Sequence, residues 1–390
     1  MEELIYKSNF EKGITFEKEE FEKAFEFSLK KIDESLEFFK DGYPSPASIN
    51  NVYPKIGNIE WTSSFYNGML WLAYLYTKEE KYKYYSHLKL EDYEERLLKN
   101  INTNTHDLGF LYILSCKADY LITKDKKAKE VALLAAKLLM VRYNEVAKII
   151  QAWGDLDDEN EKGRIIIDCL MNVPLLFWAS EETSDYSFRE AAINHVNQTR
   201  KYIIRDDDTT FHTYYFDTVT GKAKYGVTNQ GFSDQSCWAR GQAWGIYGLS
   251  LAYKYTKDKN FLVDAKRLSN HFLNNLPSDY IAYWDLVFTD GDEERDSSSS
   301  AIAATGLLEL IQYLDEDDEY REIYRNAAIM MTKSLIDNYT SVSDKKSNGI
   351  LLHAVYGKPH NNGVDECNIW GDYFFMETLY KLLVEDPNFW

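Results

Sequence analysis

The feature that most constrains this chain is a recurring switch between two kinds of helix. Five segments are apolar nearly all round: TSSFYNGMLWLAYLY (62–76), DLGFLYILSCKADYL (107–121), DCLMNVPLLFWAS (168–180), CWARGQAWGIYGLSLAYKY (237–255) and SSAIAATGLLELIQYL (299–314). A helix apolar on every side must be buried on every side. Each of these runs into a short polar turn, such as Tyr76-Thr77-Lys78-Glu79, Ile122-Thr123-Lys124-Asp125 or Tyr255-Thr256-Lys257-Asp258. A helix with one apolar stripe and a charged face follows, as in KNFLVDAKRLSNHFLNNL (259–276) and DEYREIYRNAAIMMTKSLI (318–336). Such a helix covers a core and faces water. The pattern repeats at a helical-repeat spacing or slightly above it. Segment 18–40 reads as a further outer helix and 369–384 as a further inner one. Six inner and six outer helices predict an all-α (α/α)6 barrel, with residues 1–390 as one catalytic domain. A β-prone stretch, 211–225, turns at Thr220-Gly221 and predicts a small hairpin on the barrel rim.

Composition agrees and narrows the function. Gly and Pro number only 19 and 7 in 390 residues, too few for a turn-dense β fold. Lys and Arg total 44 against 63 Asp and Glu, a net charge of −19, and no basic patch offsets it. A nucleic-acid partner is therefore not expected. No apolar run reaches membrane-spanning length, and the N-terminus has no basic segment leading into an apolar one, so neither a membrane partner nor export is expected. Four scattered cysteines form no metal or disulfide pattern and fit a reducing cytoplasm. The acidic stretch Asp290–Asp296 has Arg295 where a calcium loop needs glycine, and no metal or phosphate motif occurs. No metal and no cofactor are expected.

The unusual polar and aromatic residues fall at the starts of the inner helices. Trp61 opens the second helix, His106-Asp107 the fourth, and Asp168 the sixth. Gln230, Trp238 and Arg240 cluster at the eighth, with Trp244 one turn on; Ser297–Ser300 open the tenth, and Asp365 and Trp370 the twelfth. In alternating helices all inner N-termini lie at one end, so these residues converge on one mouth. Helix N-termini favour an anionic ligand there. Arg240 offers a carboxylate partner, and Trp61, Trp238 and Trp244 offer sugar-stacking faces. A Trp-lined, anion-attracting pocket in an acidic protein points to a uronate. Each feature also has a plain structural role. Asp107 and Asp168 stand where N-caps stand, His106 and His212 could be satisfied core histidines, and tryptophans fill cores.

The stretches NTNTHDLGF (102–110), IIIDCLMN (165–172), NQGFSDQSCWARGQAWGIYG (229–248), DSSSSAIAATGLLEL (296–310) and GVDECNIWGDYFFMETL (363–379) resemble the unsaturated glucuronyl hydrolases of glycoside hydrolase family 88. The likeness spans nearly the whole chain, and it implies the same barrel. It implies substrates with a non-reducing 4,5-unsaturated uronate, left by polysaccharide lyases. A carboxylic acid protonates C4, water adds at C5, and the hemiketal collapses, opening the ring and freeing the partner sugar. By resemblance the acid/base is Asp168 and the second aspartate is Asp107; Trp61, His212, Gln230, Arg240 and Trp244 line the sugar. Family members that favour 6-sulfated disaccharides carry a Ser-x-x-Ser-x-Lys pattern before the GVDE segment. Here that stretch is Gly357-Lys358-Pro359-His360-Asn361-Asn362, which argues against strong 6-sulfate preference, with Lys358 and His360 as the candidate replacements. Two other readings remain at this point: an unsaturated rhamnogalacturonyl hydrolase on the same barrel, and a non-catalytic helical scaffold, which predicts an open concave groove.

Overall fold

The computed structural model describes residues 2–390. Twelve helices alternate between two concentric layers. The outer ones are α1 (Lys18–Ser35), α3 (Glu80–His87, resumed as Leu90–Leu98), α5 (Lys126–Val141), α7 (Tyr186–Tyr202), α9 (Lys259–Asn274) and α11 (Tyr320–Ser334). The inner ones are α2 (Ser63–Thr77), α4 (Leu108–Tyr112, then a π turn Ile113–Lys117, then Ala118–Thr123), α6 (Cys169–Asn172 and Pro174–Thr183), α8 (Ala239–Thr256), α10 (Ser297–Leu310) and α12 (Ile369–Leu383). Each inner helix packs on the next, and α12 packs back on α2, which closes the ring. The protein is an (α/α)6 barrel. The open groove of a helical scaffold is not what forms. No helix among the described residues is long and apolar enough to cross a membrane.

Local sequence explains the alternation. Four inner helices end in Thr-x-Asp or Thr-x-Glu, and one device serves all four. Thr77, Thr123, Thr183 and Thr256 each donate their hydroxyl to the carbonyl four residues back and accept from the amide two residues on. The intervening residue, Lys78, Lys124, Ser184 or Lys257, takes the left-handed conformation that stops a helix. In three of the turns the next residue is Asp125, Asp185 or Asp258, whose carboxylate caps the outer helix it opens. One polar triplet thus ends an inner helix and starts an outer one.

The two layers share one continuous hydrophobic core. All of α10 and most of α8 are buried, as the all-round apolar pattern required. The four cysteines are free and buried.

The β structure is more extensive than a single hairpin. β6 (Thr213–Phe216) and β7 (Ala223–Val227) form the expected pair, but β5 (Arg164–Ile166), the apolar run before Asp168, adds a third strand in the order β5-β6-β7. Three further two-stranded ribbons were not foreseen: β1 (Tyr43–Pro44) with β2 (Lys55–Ile56), β3 (Tyr143–Asn144) with β4 (Ile149–Ile150), and β8 (Ala354–Gly357) with β9 (Asn362–Glu366). Strands of two to five residues leave almost no period-2 signal. Asp365, expected to open α12, lies on β9 instead and pairs with His353 at 2.6 Å.

Candidate active site

Inner N-termini do converge. A pocket of about 230 Å³ is lined by Trp61 ahead of α2, Asp107 ahead of α4, Asp168 ahead of α6, and Asn229 and Gln230 ahead of α8. Tyr356, Gly357, His360 and Asn362 of the β8–β9 ribbon and Trp153 of the loop before α6 complete the wall.

The aspartates occupy N-cap positions without capping. No side-chain bond runs from Asp107 or Asp168 to its helix, unlike Asp125, Asp185 and Asp258 of the outer layer. Thr105 Oγ1 donates to Asp107 Oδ2 at 2.7 Å, and Asn172 Nδ2 reaches Asp107 Oδ1 at 3.5 Å. Asp168 Oδ1 is buried with no hydrogen-bond partner. Ladder pairing of Ile165 and Ile166 with Tyr214 and Thr213 fixes the strand that delivers it.

Close helix contact brings the two carboxylates together. A Cβ on Gly109 would lie 2.2 Å from Asn172 Cα, so α4 and α6 touch backbone to backbone there. Asn172 fits the gap: its Oδ1 accepts from Phe110 N at 2.7 Å and its Nδ2 donates to the Asp168 carbonyl at 3.2 Å.

Between the carboxylates sits His106. Its Nε2 is 3.3 Å from Asp168 Oδ1 and 3.5 Å from Asp107 Oδ1, and neither ring nitrogen has a well-aligned hydrogen bond. Burial holds the Asp107 carboxyl above the usual carboxylate range, opposed by His106 and reinforced by the Asp168 charge. Burial disfavours a charged His106, but Asp107 and Asp168 outweigh it and hold the ring above its ordinary value. Both directions mean that His106 and Asp107 together hold a proton more tightly than the separate groups would. A donor atom from each of the three lies within 4.8 Å of the others, so the same triad is the place where a metal ion could be held. No sequence motif marks it, because the histidine and the distant aspartate come from different helices.

The other expected residues divide into wall and support. Trp61 and Gln230 line the pocket, and Trp61 Nε1 donates to Tyr356 Oη at 2.9 Å. His212 sits behind Asp168, its Nδ1 2.5 Å from Thr213 Oγ1, its Nε2 unpartnered; burial drives the ring down to about 3, so it is neutral. Trp238 packs on His212 with ring centroids 4.9 Å apart.

Arg240 is placed differently from the expectation of a free carboxylate partner. It is buried, and its guanidinium donates to Asp296 Oδ2 at 2.8 Å, to the carbonyls of Val355 and Tyr356, and to Gln230 Oε1 at 2.6 Å. It ties the β8–β9 ribbon and Gln230 to the barrel, and both of its terminal nitrogens are engaged. Trp244 is buried, packed against Phe110 and Phe374, and is not among the residues that line the pocket. Lys358 turns away to pair with Glu294. His360 stays at the pocket, its Nε2 3.1 Å from the Asn229 carbonyl.

Sequence reasoning missed Trp153, Asn229 and Tyr356. Trp153, in the loop Gln151-Ala-Trp-Gly, is an aromatic outside any helix, which was the available signal.

This geometry invites comparison with known proteins, and a family model described as Glycosyl Hydrolase Family 88 matches residues 43–382. The chain belongs to glycoside hydrolase family 88. This family 88 member is 45% identical over 357 residues to an unsaturated chondroitin disaccharide hydrolase of Streptococcus pneumoniae, covering 91% of this chain and 90% of that one. It is 42% identical to an unsaturated glucuronyl hydrolase of Bacillus sp. strain GL1, covering 91% and 95%. Its fold matches the crystal structure of an unsaturated glucuronyl hydrolase from Streptococcus agalactiae with a TM-score of 0.97 at 43% identity, over 100% of this chain and 98% of the other. A variant of that streptococcal enzyme has been solved with dGlcA-GalNAc6S.

Proposed function

We propose that this family 88 enzyme releases 4,5-unsaturated uronate from the non-reducing end of glycosaminoglycan-type disaccharides by hydrating the C4=C5 vinyl ether. The observation that carries the reading is the buried, unpartnered Asp168 Oδ1 facing a pocket beside a second carboxylate, in a chain that belongs to family 88.

Asp168, as its acid, donates a proton to C4, and the C4=C5 electrons take it up. Positive charge develops at C5 and is shared with the ring oxygen. Water adds at C5 and returns a proton to the Asp168 carboxylate. The hemiketal then opens at the C5–O5 bond, and the resulting hemiacetal at C1 releases the partner sugar. Asp107 stands beside the acid and accepts from ring hydroxyls. Trp61 and Trp153 provide faces for the ring. Arg240 holds Gln230 by Oε1, which leaves the amide Nε2 as the donor for the substrate carboxylate. Carboxylate spacing rules for retaining and inverting glycosidases do not apply, because no displacement occurs at the anomeric carbon.

Gly357, His360 and Asn362, the three positions that depart from the sulfate-binding pattern, all line the pocket. None is a lysine or an arginine, and Lys358 is engaged with Glu294. A sulfate entering here would lose hydration without a cation to replace it, so the unsulfated disaccharide is turned over at least as well as the 6-sulfated one. The whole chain acts as one catalytic unit, in the cytoplasm, on imported disaccharides.

The test is loss of the C4=C5 absorbance when purified protein meets unsaturated chondroitin, hyaluronan and rhamnogalacturonan disaccharides. Turnover of the first two is expected. No turnover, or faster turnover of the pectic substrate, overturns the reading.

A further inference from the structure

We infer that His106, Asp107 and Asp168 form a binding site for a borderline divalent cation, Zn²⁺ above all, and that its occupancy shuts the enzyme off. This rests on the proposed catalytic role of the aspartates for its consequence, but not for the binding itself.

The spacing is that of a ligand set. Zn²⁺ bonds imidazole nitrogen and carboxylate oxygen at about 2.0–2.2 Å, so two ligands of one tetrahedral ion stand roughly 3.3–3.5 Å apart. His106 Nε2 lies 3.3 Å from Asp168 Oδ1 and 3.5 Å from Asp107 Oδ1. The Asp107–Asp168 edge is at most 4.8 Å. A small rotation of the Asp168 side chain, which no hydrogen bond restrains at Oδ1, closes it.

A second observation points the same way. His106 is about 1% exposed, and its Nε2, aimed between the carboxylates, has no aligned partner. Buried polar atoms are nearly always satisfied, and an exception calls for an occupant. A proton is one occupant and a dication is another. Two carboxylates and a neutral imidazole balance a charge of +2, while the pocket supplies the open fourth position to water.

The same details set its strength. Metal-bound histidines usually donate their other ring nitrogen to an acceptor. His106 Nδ1 has none, so the ion exchanges rather than stays. Once bound it ties up both aspartates, and Asp168 has no proton to give. The pairs His87–Asp119, His271–Glu2 and the exposed His353–Asp365 offer two ligands each, and they are the competing sites on this acidic chain.

The experiment is calorimetric titration of the protein with Zn²⁺ alone, in wild type, His106→Ala, Asp107→Asn and the surface control His353→Ala, each checked for folding by circular dichroism. One site with micromolar affinity is expected, weakened at least about tenfold in both site variants and unchanged in the control. Zn²⁺ should lower kcat for the unsaturated disaccharide, because the acid is tied up, and a chelator should restore it. Zinc binding that survives in both folded site variants, or unchanged turnover at saturating zinc, overturns the inference. A triad-dependent zinc site in a protein that turns over no unsaturated disaccharide would instead leave this inference standing and remove the proposed function.

Discussion

Both ends of the barrel bury carboxylates, but they treat them in opposite ways. At the end where the inner helices finish, Glu377 accepts from Tyr247 Oη at 2.7 Å and from Trp390 Nε1 at 3.1 Å. Glu309 accepts from Lys381 Nζ and Tyr313 Oη, and Lys381 also lies 3.5 Å from Asp386. Phe389 and Trp390 fill the space between, with Trp390 stacked on Phe374. At the mouth, Asp168 and His106 have polar atoms with no partner and a cavity in front of them. Burial is common to both ends, so burial does not mark the site. What marks it is burial left unsatisfied beside open space, since an unpaired buried polar group is costly unless a ligand completes it.

The sharpest way to break this contrast is Asp168→Asn. It should lower turnover by about 10²–10⁴-fold at an unchanged melting temperature. Near-normal turnover in the folded variant would remove Asp168 as the acid. Arg240→Ala comes next. It strands buried Asp296 and frees both Gln230 and the β8–β9 ribbon, so it should cost about 3–5 kcal/mol of stability in denaturant titration, together with a raised KM. A stable variant with only a KM defect would mean that Arg240 meets the substrate carboxylate directly.

Glu377→Gln probes the closed end. Burial pushes the Glu377 carboxyl from 4.5 up to about 7. The folded protein therefore binds this proton more tightly than the unfolded chain does. Its stabilising effect is complete below pH 4.5 and is lost as pH rises through 7. The variant should lack that decline, a difference of about 3 kcal/mol at most between the two stability–pH curves. Its kcat should stay within about twofold of wild type. A large loss of kcat would show that the two ends are not independent.

The smallest effect is at the rim. Gly357→Ser, His360→Ser and Asn362→Lys together should shift kcat/KM toward the 6-sulfated disaccharide by about tenfold, or 1.4 kcal/mol. A wild-type preference of that size for the sulfated substrate would show that another part of the mouth reads sulfate.

The layered barrel was legible in the sequence because each helix carries its burial in its own composition. α10 has no polar face to show solvent, and α9 has one, so inner and outer follow without any knowledge of neighbours. The Thr-x-Asp turns are equally local, since every hydrogen bond they make lies within four residues. Chain order along such a ring then placed Trp61, Asp107, Asp168 and Gln230 at one mouth. The π turn in α4 and the short ribbons were not legible, because a segment of two to five residues has too little pattern to read.

What the sequence by itself determined is therefore the barrel, the family and the aspartate pair. Depth and partners were decided by tertiary structure. Trp244 looks like a sugar platform in its motif, yet it points into the core between Phe110 and Phe374. Arg240 looks like a free cation, yet Asp296, Val355, Tyr356 and Gln230 take its donors from 10 to 116 residues away. Asp107 and Asp168 share the N-cap position with Asp125 and Asp258, yet in the folded chain their carboxylates make no cap and lie beside His106. Helix type is a property of neighbours in sequence, whereas a side chain's partners are neighbours in space. A single chain read in order contains the first kind of information directly and the second only after it has folded.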